Sequence, residues 1–432
     1  MIGTILSCYL ALTIVFCFFR IKIGIAMFLF YSLLVPKIVF FSFGPNLFNF
    51  FILLALFLNY KYKNFVFKPL APFIFLYLAQ FIIIPFHNAV PYGIQLNAFR
   101  VDFMAIILLP FAIINVANRN VDALDLFNKV LMSAVIVAVV YSLFLATMLP
   151  GSNPYIKLIN PGYSTTIMDH YSNYCAAEGT GRLFGRISGV FIHPMQNGLF
   201  LSLGFVFLLS KIDFDQEFKD KILVFIIFFT SLAILCIGIR TPIGALGLGL
   251  AVFLFLERKV KLFLIGILSG TALFIIIQKF PGMGEYIASI FDKSSKAVEG
   301  SSFELRLFQL NGCLKEISHN YLFGKGYNWT SYYLRLYAAH PTMFAFESLV
   351  LVILCNNGFI GGVIWALMIF IYIQKMYRTF SNKHYRNIMI TLMVVYLVYI
   401  VITGDYGYMK FFLIFYAVMF MWPNGLKSFA SK

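Results

Sequence analysis

Arginines and histidines at the edges of apolar stretches carry the chemical information in this chain. Arg240 is the sharpest case. It stands in Cys236-Ile237-Gly238-Ile239-Arg240-Thr241-Pro242, between two runs that are otherwise uncharged. A cation costs about 2.5–3.5 kcal/mol at the centre of a bilayer and less toward its edge, so one retained there is a functional signal. The bland alternative is an arginine that snorkels to lipid headgroups or caps a helix C-terminus. Arg100, Arg182, Arg186, Arg306, Lys325 and Arg335 repeat the pattern beside other run ends and long polar segments. Several such cations together favour anion binding, and the planar guanidinium fork matches phosphate oxygens.

His340, in Ala338-Ala339-His340-Pro341, opens a long apolar run that also holds Glu347 and Asn356-Asn357-Gly358. An imidazole titrates near neutral pH and can take a proton from a hydroxyl; the alternative is a histidine hydrogen-bonded within a loop. His193, before Pro194, holds a similar place at another run, whereas His87, His170 and His319 carry less weight. No histidine or carboxylate spacing matches a metal site, so no metal or other cofactor is expected. Cys8, Cys17, Cys236 and Cys355 lie in apolar runs and read as small hydrophobes. Cys175 and Cys313 fall in or near polar segments, which leaves a disulfide between them open.

These residues need elements to position them, and composition says what kind. Hydrophobic residues make up 61% of the 432 positions and charged ones 12%, about half the charged share of a soluble protein. The mean hydropathy is +0.88. No soluble core could hide this much apolar surface, so lipid is the solvent for much of it. Runs approaching the roughly 20 apolar residues of a membrane helix occur around 2–19, 22–40, 46–58, 70–85, 101–116, 130–149, 188–210, 222–238, 242–256, 261–278, 344–373, 388–403 and 409–422. The expectation is an all-α polytopic membrane protein of about 12–14 transmembrane helices, forming one transmembrane domain over 1–432. The first run lacks a basic leader and a small-residue cleavage site and reads as a retained span.

The net charge of +16 does not indicate nucleic acid, because no basic soluble domain is present to bind it. It fits basic loops that hold topology. Parity places 61–63, 211–221, 258–261 and 375–386 on the cytoplasmic side, together with the C-terminus. Two long loops, 150–187 and 279–343, and the turn at Arg240 then face outward; twelve spans with both termini inside is the rival arrangement. Within the second loop, Ser301-Ser302-Phe303-Glu304 is a capping box, and Leu305, Phe308 and Ile317 suit a helix on the membrane surface.

Taken in order, these stretches resemble the O-antigen polymerase and O-antigen ligase superfamily of bacterial envelope glycosyltransferases. The stretch 182–198 (RLFGRISGVFIHPMQNG) is similar to the family's Arg-x-x-Gly-x-Phe-x-x-Pro-Asn, with Arg186 as the matching arginine. Gly238-Ile239-Arg240-Thr241 resembles its Ser-Arg-Thr/Gly turn. Glu304-Leu305-Arg306, Phe323-Gly324-Lys325-Gly326, His340 and 358–361 resemble its later Arg…Pro-Leu-x-Gly-x-Gly…His-Asn…Gly-x-x-Gly region. The departures are Pro341 after the histidine, a Pro-Asn pair spread over 194–197, and Asn356-Asn357 where an acidic residue is common.

The resemblance implies a GT-C-like bundle and a metal-independent, inverting glycosyl transfer on the periplasmic face of the inner membrane. The donor would be a glycan on undecaprenyl pyrophosphate. Arg186 and Arg240 would stabilise the departing pyrophosphate, and His340 would accept or orient the acceptor hydroxyl proton. Arg182, Arg306, Lys325, Arg335, His193 and Glu347 would contact pyrophosphate or sugar. Tyr155, Tyr163, Tyr171, Tyr174, Trp329, Tyr332 and Tyr333 suit sugar stacking. Divergent motifs and a chain rich in Phe, Tyr, Ile, Asn and Lys favour the polymerase, which extends a lipid-linked repeat unit at its non-reducing end, over the ligase, which transfers the glycan to lipid A–core. Partners would be lipid-linked oligosaccharides, membrane lipid, a chain-length regulator and a flippase. A flippase activity of the chain itself is the alternative from another class. It predicts charges buried in many spans, whereas here they gather in loops. A peptidoglycan-type enzyme would use an outer-loop carboxylate such as Asp169, Glu178 or Asp292.

Overall fold

In hydrocarbon a backbone amide has no water to bond, so a chain this apolar must close its hydrogen bonds within helices. The computed structural model does so. It describes residues 2–35, 44–59, 65–86, 89–148, 152–159, 185–212, 221–259, 303–403 and 408–430. Among them the regular structure is helical, and the one extended pairing is an isolated bridge between His340 and Phe344.

The helices are α1 (Ile2–Phe19), α2 (Ile21–Leu34), α3 (Gly44–Leu58), α4 (Ala71–Ile83), α5 (Tyr92–Ala117), α6 (Val121–Ala146), the short α7 (Pro154–Ile159), α8 (Pro194–Leu209), α9 (Lys221–Cys236), α10 (Arg240–Leu256), α11 (Phe303–Glu316), α12 (Trp329–Tyr337), α13 (Leu349–Thr379), α14 (Lys383–Thr403) and α15 (Met409–Ala430). Among the described residues, five segments are long and apolar enough to cross a membrane: Lys68–Phe86, α5, α6, α13 and α14. Shorter apolar helices accompany them. The protein is a polytopic all-α membrane protein. The run 261–278 and the capping serines Ser301 and Ser302 lie outside the described residues.

Burial follows the solvent expected. Phe225, Phe228, Ile222 and Phe255 turn outward, where a soluble protein would aggregate and a bilayer supplies matching apolar solvent. Inside, Phe73, Tyr372, Phe412 and Tyr416 pack ring to ring. Their hydroxyls are satisfied by backbone carbonyls, Tyr372 donating to Met389 at 2.7 Å and Tyr416 to Pro69 at 2.7 Å. Small residues let helices approach closely: a Cβ on Gly249 of α10 would lie 2.3 Å from Val395 of α14.

Several helices begin or end elsewhere than hydropathy alone predicts. The run 101–116 belongs to a helix that starts at Tyr92, so Arg100 lies inside it. The run 130–149 starts at Val121, after an Asn120 cap. The run 188–210 becomes helical only at Pro194, and 344–373 only at Leu349, continuing to Thr379. Hydropathy tracks lipid thickness, whereas helices continue past the hydrocarbon until a cap or proline stops them.

The bundle sorts its charges by end. Lys22 pairs with Asp122 at the start of α6, and His384 at the start of α14 faces Glu257 at the end of α10. At the opposite ends of these helices, Ser142 of α6 bonds Asn197, Arg240 opens α10, and Tyr399 and Val401 of α14 meet the segments carrying His193 and Glu347. The candidate arginines and histidines thus share one end of the molecule.

Candidate functional site

Arg186 sits in an irregular segment, 185–193, that buried polar side chains hold against the bundle. Asn197 donates to the Ile187 carbonyl (3.2 Å) and to Ser142 (3.0 Å). Asn153 donates to Ser188 Oγ and to the Gly189 carbonyl, both at 2.9 Å, and accepts from Tyr141. Gly189 has φ +59, and a Cβ there would strike Asn197 at 2.6 Å. In the Arg…Asn stretch, Asn197 therefore serves to position the loop that presents Arg186. Asn153 does the same work from outside any motif, and only its burial reveals it.

The Arg240 turn is tied to this segment. Ile187 N–H donates to the Ile237 carbonyl at 3.0 Å, and Gly238 supplies the positive φ (+72) that turns the chain into α10. Gly198 lets α8 approach Pro242 of α10 and Tyr399 of α14, whose hydroxyl donates to Met195 at 2.5 Å. Two residues further along α14, the Val401 carbonyl accepts from Ser348, which adjoins Glu347. Tyr399 and Val401 are only about 3 Å apart in helical rise, so α14 joins the arginine pair to the His340 region.

That region is built on a break in α13. Gly358 has φ +61 and ψ −159 inside the helix, and the break releases backbone groups on both sides. Lys325 N–H donates to Cys355 (2.8 Å) and Gly326 N–H to Asn356 (2.9 Å). In return Phe359 N–H donates to Tyr321 (2.9 Å) and Ile360 N–H to Leu322 (3.0 Å). Asn356 also accepts from Thr330 in the first turn of α12. From the other side Gln95 accepts from Tyr327 N–H, and Asp102 from the Tyr327 hydroxyl, both at 2.9 Å. The Asn-Asn-Gly and Gly-Lys-Gly stretches are two halves of one backbone junction. Beneath it Cys313 Sγ lies 3.3 Å from Cys355 Sγ, so the sulfur neighbour of Cys313 is Cys355; Cys175 lies outside the described residues.

His340 stands at this junction, ringed by Trp329, Tyr333 and Phe346 with Tyr333 nearest at 5.0 Å between centroids. Its Nδ1 accepts from the backbone N–H groups of Thr342 and Met343, both at 3.2 Å. An accepting nitrogen carries no proton, so the neutral ring holds its proton on Nε2. Nε2 faces Glu316 Oε2 at 3.6 Å, and Glu316 Oε1 lies 3.1 Å from Lys325 Nζ. Glu316 belongs to no motif, and nothing in its sequence neighbourhood singles it out; only folding puts the end of α11 beside His340. Asn328, Ala338, Phe344 and Phe346 all have positive φ, a concentration of backbone strain of the sort found at functional sites.

The remaining predicted residues divide. Arg306 and Glu347 pair with each other at 3.5 Å, and burial lowers the Arg306 pKa while Glu347 opposes the shift. Arg335 is exposed in the last turn of α12. Tyr155 anchors to the Leu34 carbonyl. Arg182, Tyr163, Tyr171, Tyr174, Asp169, Glu178 and Asp292 lie outside the described residues.

His193 is the N-cap of α8, its Nδ1 accepting from Met195 N–H. Burial, and then the Arg186 charge, lower its pKa to about 4. The unfolded histidine binds its proton near pH 6.5, so stability from this site is complete above that value and falls as pH drops toward 4. His193→Asn keeps a capping oxygen and removes the titration. Thermal unfolding between pH 7 and pH 4.5 should show a smaller acid loss in this variant; an unchanged loss would exclude His193 as a cause.

Among the described residues no three His, Cys, Asp or Glu side chains converge on a point that could hold a metal. Residues 223–366 match the family model described as O-antigen ligase. The matched domain is a third of the chain, and over it the chain is similar to the O-antigen ligase family. That domain runs from α9 into α13 and contains the Arg240 turn, Glu316, the Gly-Lys-Gly junction and His340, while Arg186 lies ahead of it. Members of this superfamily have glycosyltransferase-type activity on lipid-linked saccharides. No curated protein matches the chain significantly.

Proposed function

We propose that the protein is a surface-polysaccharide polymerase. It transfers a growing glycan from undecaprenyl pyrophosphate to the non-reducing end of a lipid-linked repeat unit. The observation that carries this reading is the gathering of Arg186, Arg240 and the Lys325–Glu316–His340 cluster at one end of a membrane bundle, within and beside an O-antigen ligase domain.

The bond between the sugar C1 and the pyrophosphate oxygen breaks, and its electron pair leaves with the lipid. Arg186 and Arg240 stabilise that charge where it develops. The acceptor oxygen bonds to C1 from the opposite face, which inverts the centre, and its proton passes to the Glu316–His340 pair. Lys325 and Arg335 extend the cationic surface toward sugar or phosphate. The bundle is GT-C-like, the site faces the periplasm from the inner membrane, and the lipid tail enters between helices. A chain-length regulator and a flippase act with it.

The test is a lipopolysaccharide gel from a deletion strain that carries wild-type, Arg186→Ala, Arg240→Ala or His340→Ala protein. A lost polymerase leaves a single repeat unit on core. Bare core with polymer retained on the carrier lipid identifies the ligase, the activity named by the matching family. Wild-type ladders from all three variants would sink the assignment.

A further inference from the structure

We infer that the carboxylate of Glu316, and not the imidazole of His340, is the group that takes the proton from the sugar hydroxyl, with His340 and Lys325 as its positioning residues. This rests on the glycosyl-transfer reading and names the acid–base atom within it.

A base needs a free lone pair that the substrate can reach. His340 offers none in this arrangement. Its Nδ1 pair is engaged by two backbone N–H groups, and its Nε2, which carries the proton in that tautomer, lies 3.6 Å from Glu316 Oε2. The imidazole side chain is 7% exposed and the Glu316 side chain 31%. The carboxylate is therefore the open member of the pair. An ionised carboxylate has about four lone-pair sites, and Lys325 and His340 face one oxygen each, so both oxygens keep capacity for a hydroxyl. Among the described residues, Lys325 is ion-paired with Glu316 at 3.1 Å, the His340 ring faces it at 3.6 Å, and the Cys355 thiol lies within electrostatic reach. Lys325 is itself fixed by its backbone in the α13 break and lies 5.9 Å from the Trp329 ring. The cluster is thus rigid on the side that holds Glu316.

The step balances without any other reagent. The acceptor O–H proton moves to Glu316 as the oxygen bonds to C1, the C1–O–phosphorus link opens, and the pyrophosphate leaves as an anion. Glu316 then releases the proton to water. A purely structural Glu316 would join the end of α11 to the 321–326 loop through Lys325, a role that a neutral acceptor can also fill.

Glu316→Gln separates the two roles, because it keeps the size and an oxygen for Lys325 but cannot take a proton at neutral pH. The assay uses purified full-length protein in lipid with a polyprenyl-pyrophosphate-linked oligosaccharide, read across pH. The expected result is a kcat lower by about 10²–10⁴, an unchanged KM, and loss of the low-pH limb of the wild-type profile. A variant that keeps more than a tenth of kcat with that limb intact overturns the inference. His340→Gln is the second arm: it can donate to Glu316 but is no base. Retention of a tenth of kcat supports the inference, and loss as severe as in a folded Glu316→Gln overturns it. If Glu316→Gln does not fold, His340→Gln decides alone, and a kcat below about a hundredth of wild type counts against Glu316. Wild-type protein that transfers nothing removes the glycosyl-transfer reading itself. Wild-type transfer alongside an active Glu316→Gln removes only the present inference.

Discussion

Arg240→Ala will lower kcat for glycan transfer by about 10²–10³, the usual effect of removing one preorganised partner of a developing negative charge. Arg240 occupies the first position of α10, where the helix macrodipole already presents partial positive charge. A cation placed there is unfavourable with respect to the helix dipole by about 0.3–1 kcal/mol, so melting curves measured beside the rate separate a lost catalytic charge from a lost structural contact. Arg240→Lys keeps the charge but loses the fork that grips two phosphate oxygens, and its rate should lie between the two. In the proposed reaction Arg186 acts on the same leaving group, and its segment is bonded directly to the Arg240 turn through Ile187 and Ile237. The double alanine variant should therefore lose less than the product of the single losses. Single-turnover kinetics with a lipid-pyrophosphate donor, paired with melting curves, measures all of this. A folded Arg240→Ala protein within threefold of wild type would remove Arg240 from the reaction.

The order of the apolar runs foretells the helices because lipid leaves the backbone few alternatives. The arginine turn is legible for a related reason: a cation between two apolar runs is costly enough to stand out in the sequence. What the sequence conceals is of another kind. Asn197 reads as part of a motif, yet its amide is spent on Ile187 and Ser142, and its effect on chemistry passes through the Arg186 loop. Glu347 reads as a candidate ligand, but folding pairs it with Arg306. Glu316 is one carboxylate on an amphipathic helix until α11 docks against α13 and brings it to His340. Side-chain periodicity records which face of a helix is buried; it does not record which distant residue that face will meet.

Gly358→Ala carries the second large effect, and it tests whether the α13 break builds the site. The combination φ +61, ψ −159 falls in a region essentially reserved for glycine, and a side chain there costs about 1–3 kcal/mol in strain alone. A Cβ would also lie 2.5 Å from the carbonyl oxygens of Tyr321 and Leu322. Those are backbone atoms that accept from Phe359 and Ile360 respectively, so the clash cannot be relieved by rotating a side chain. The 321–326 loop has to move away, and the hydrogen bonds that lock Lys325 and Gly326 to α13 weaken with it, at about 0.5–1.5 kcal/mol each. The bundle itself should persist, because α6, α8, α14 and α15 pack on one another outside the junction. The expected phenotype is a folded membrane protein whose loop between α11 and α12 becomes protease-sensitive and whose transfer activity is lost. Gly324→Ala should behave alike, since its φ is +74 and its Cβ would meet Gly358 N at 2.6 Å. Gly362→Ala is the control on the same helix: nothing lies within 4 Å of its Cβ, and alanine there is neutral or stabilising by up to about 1 kcal/mol. Limited proteolysis and activity measured on the three variants together decide the matter. If Gly358→Ala behaves like Gly362→Ala, the break in α13 is incidental to the site, and the positions of Lys325, Glu316 and His340 must be set by other contacts.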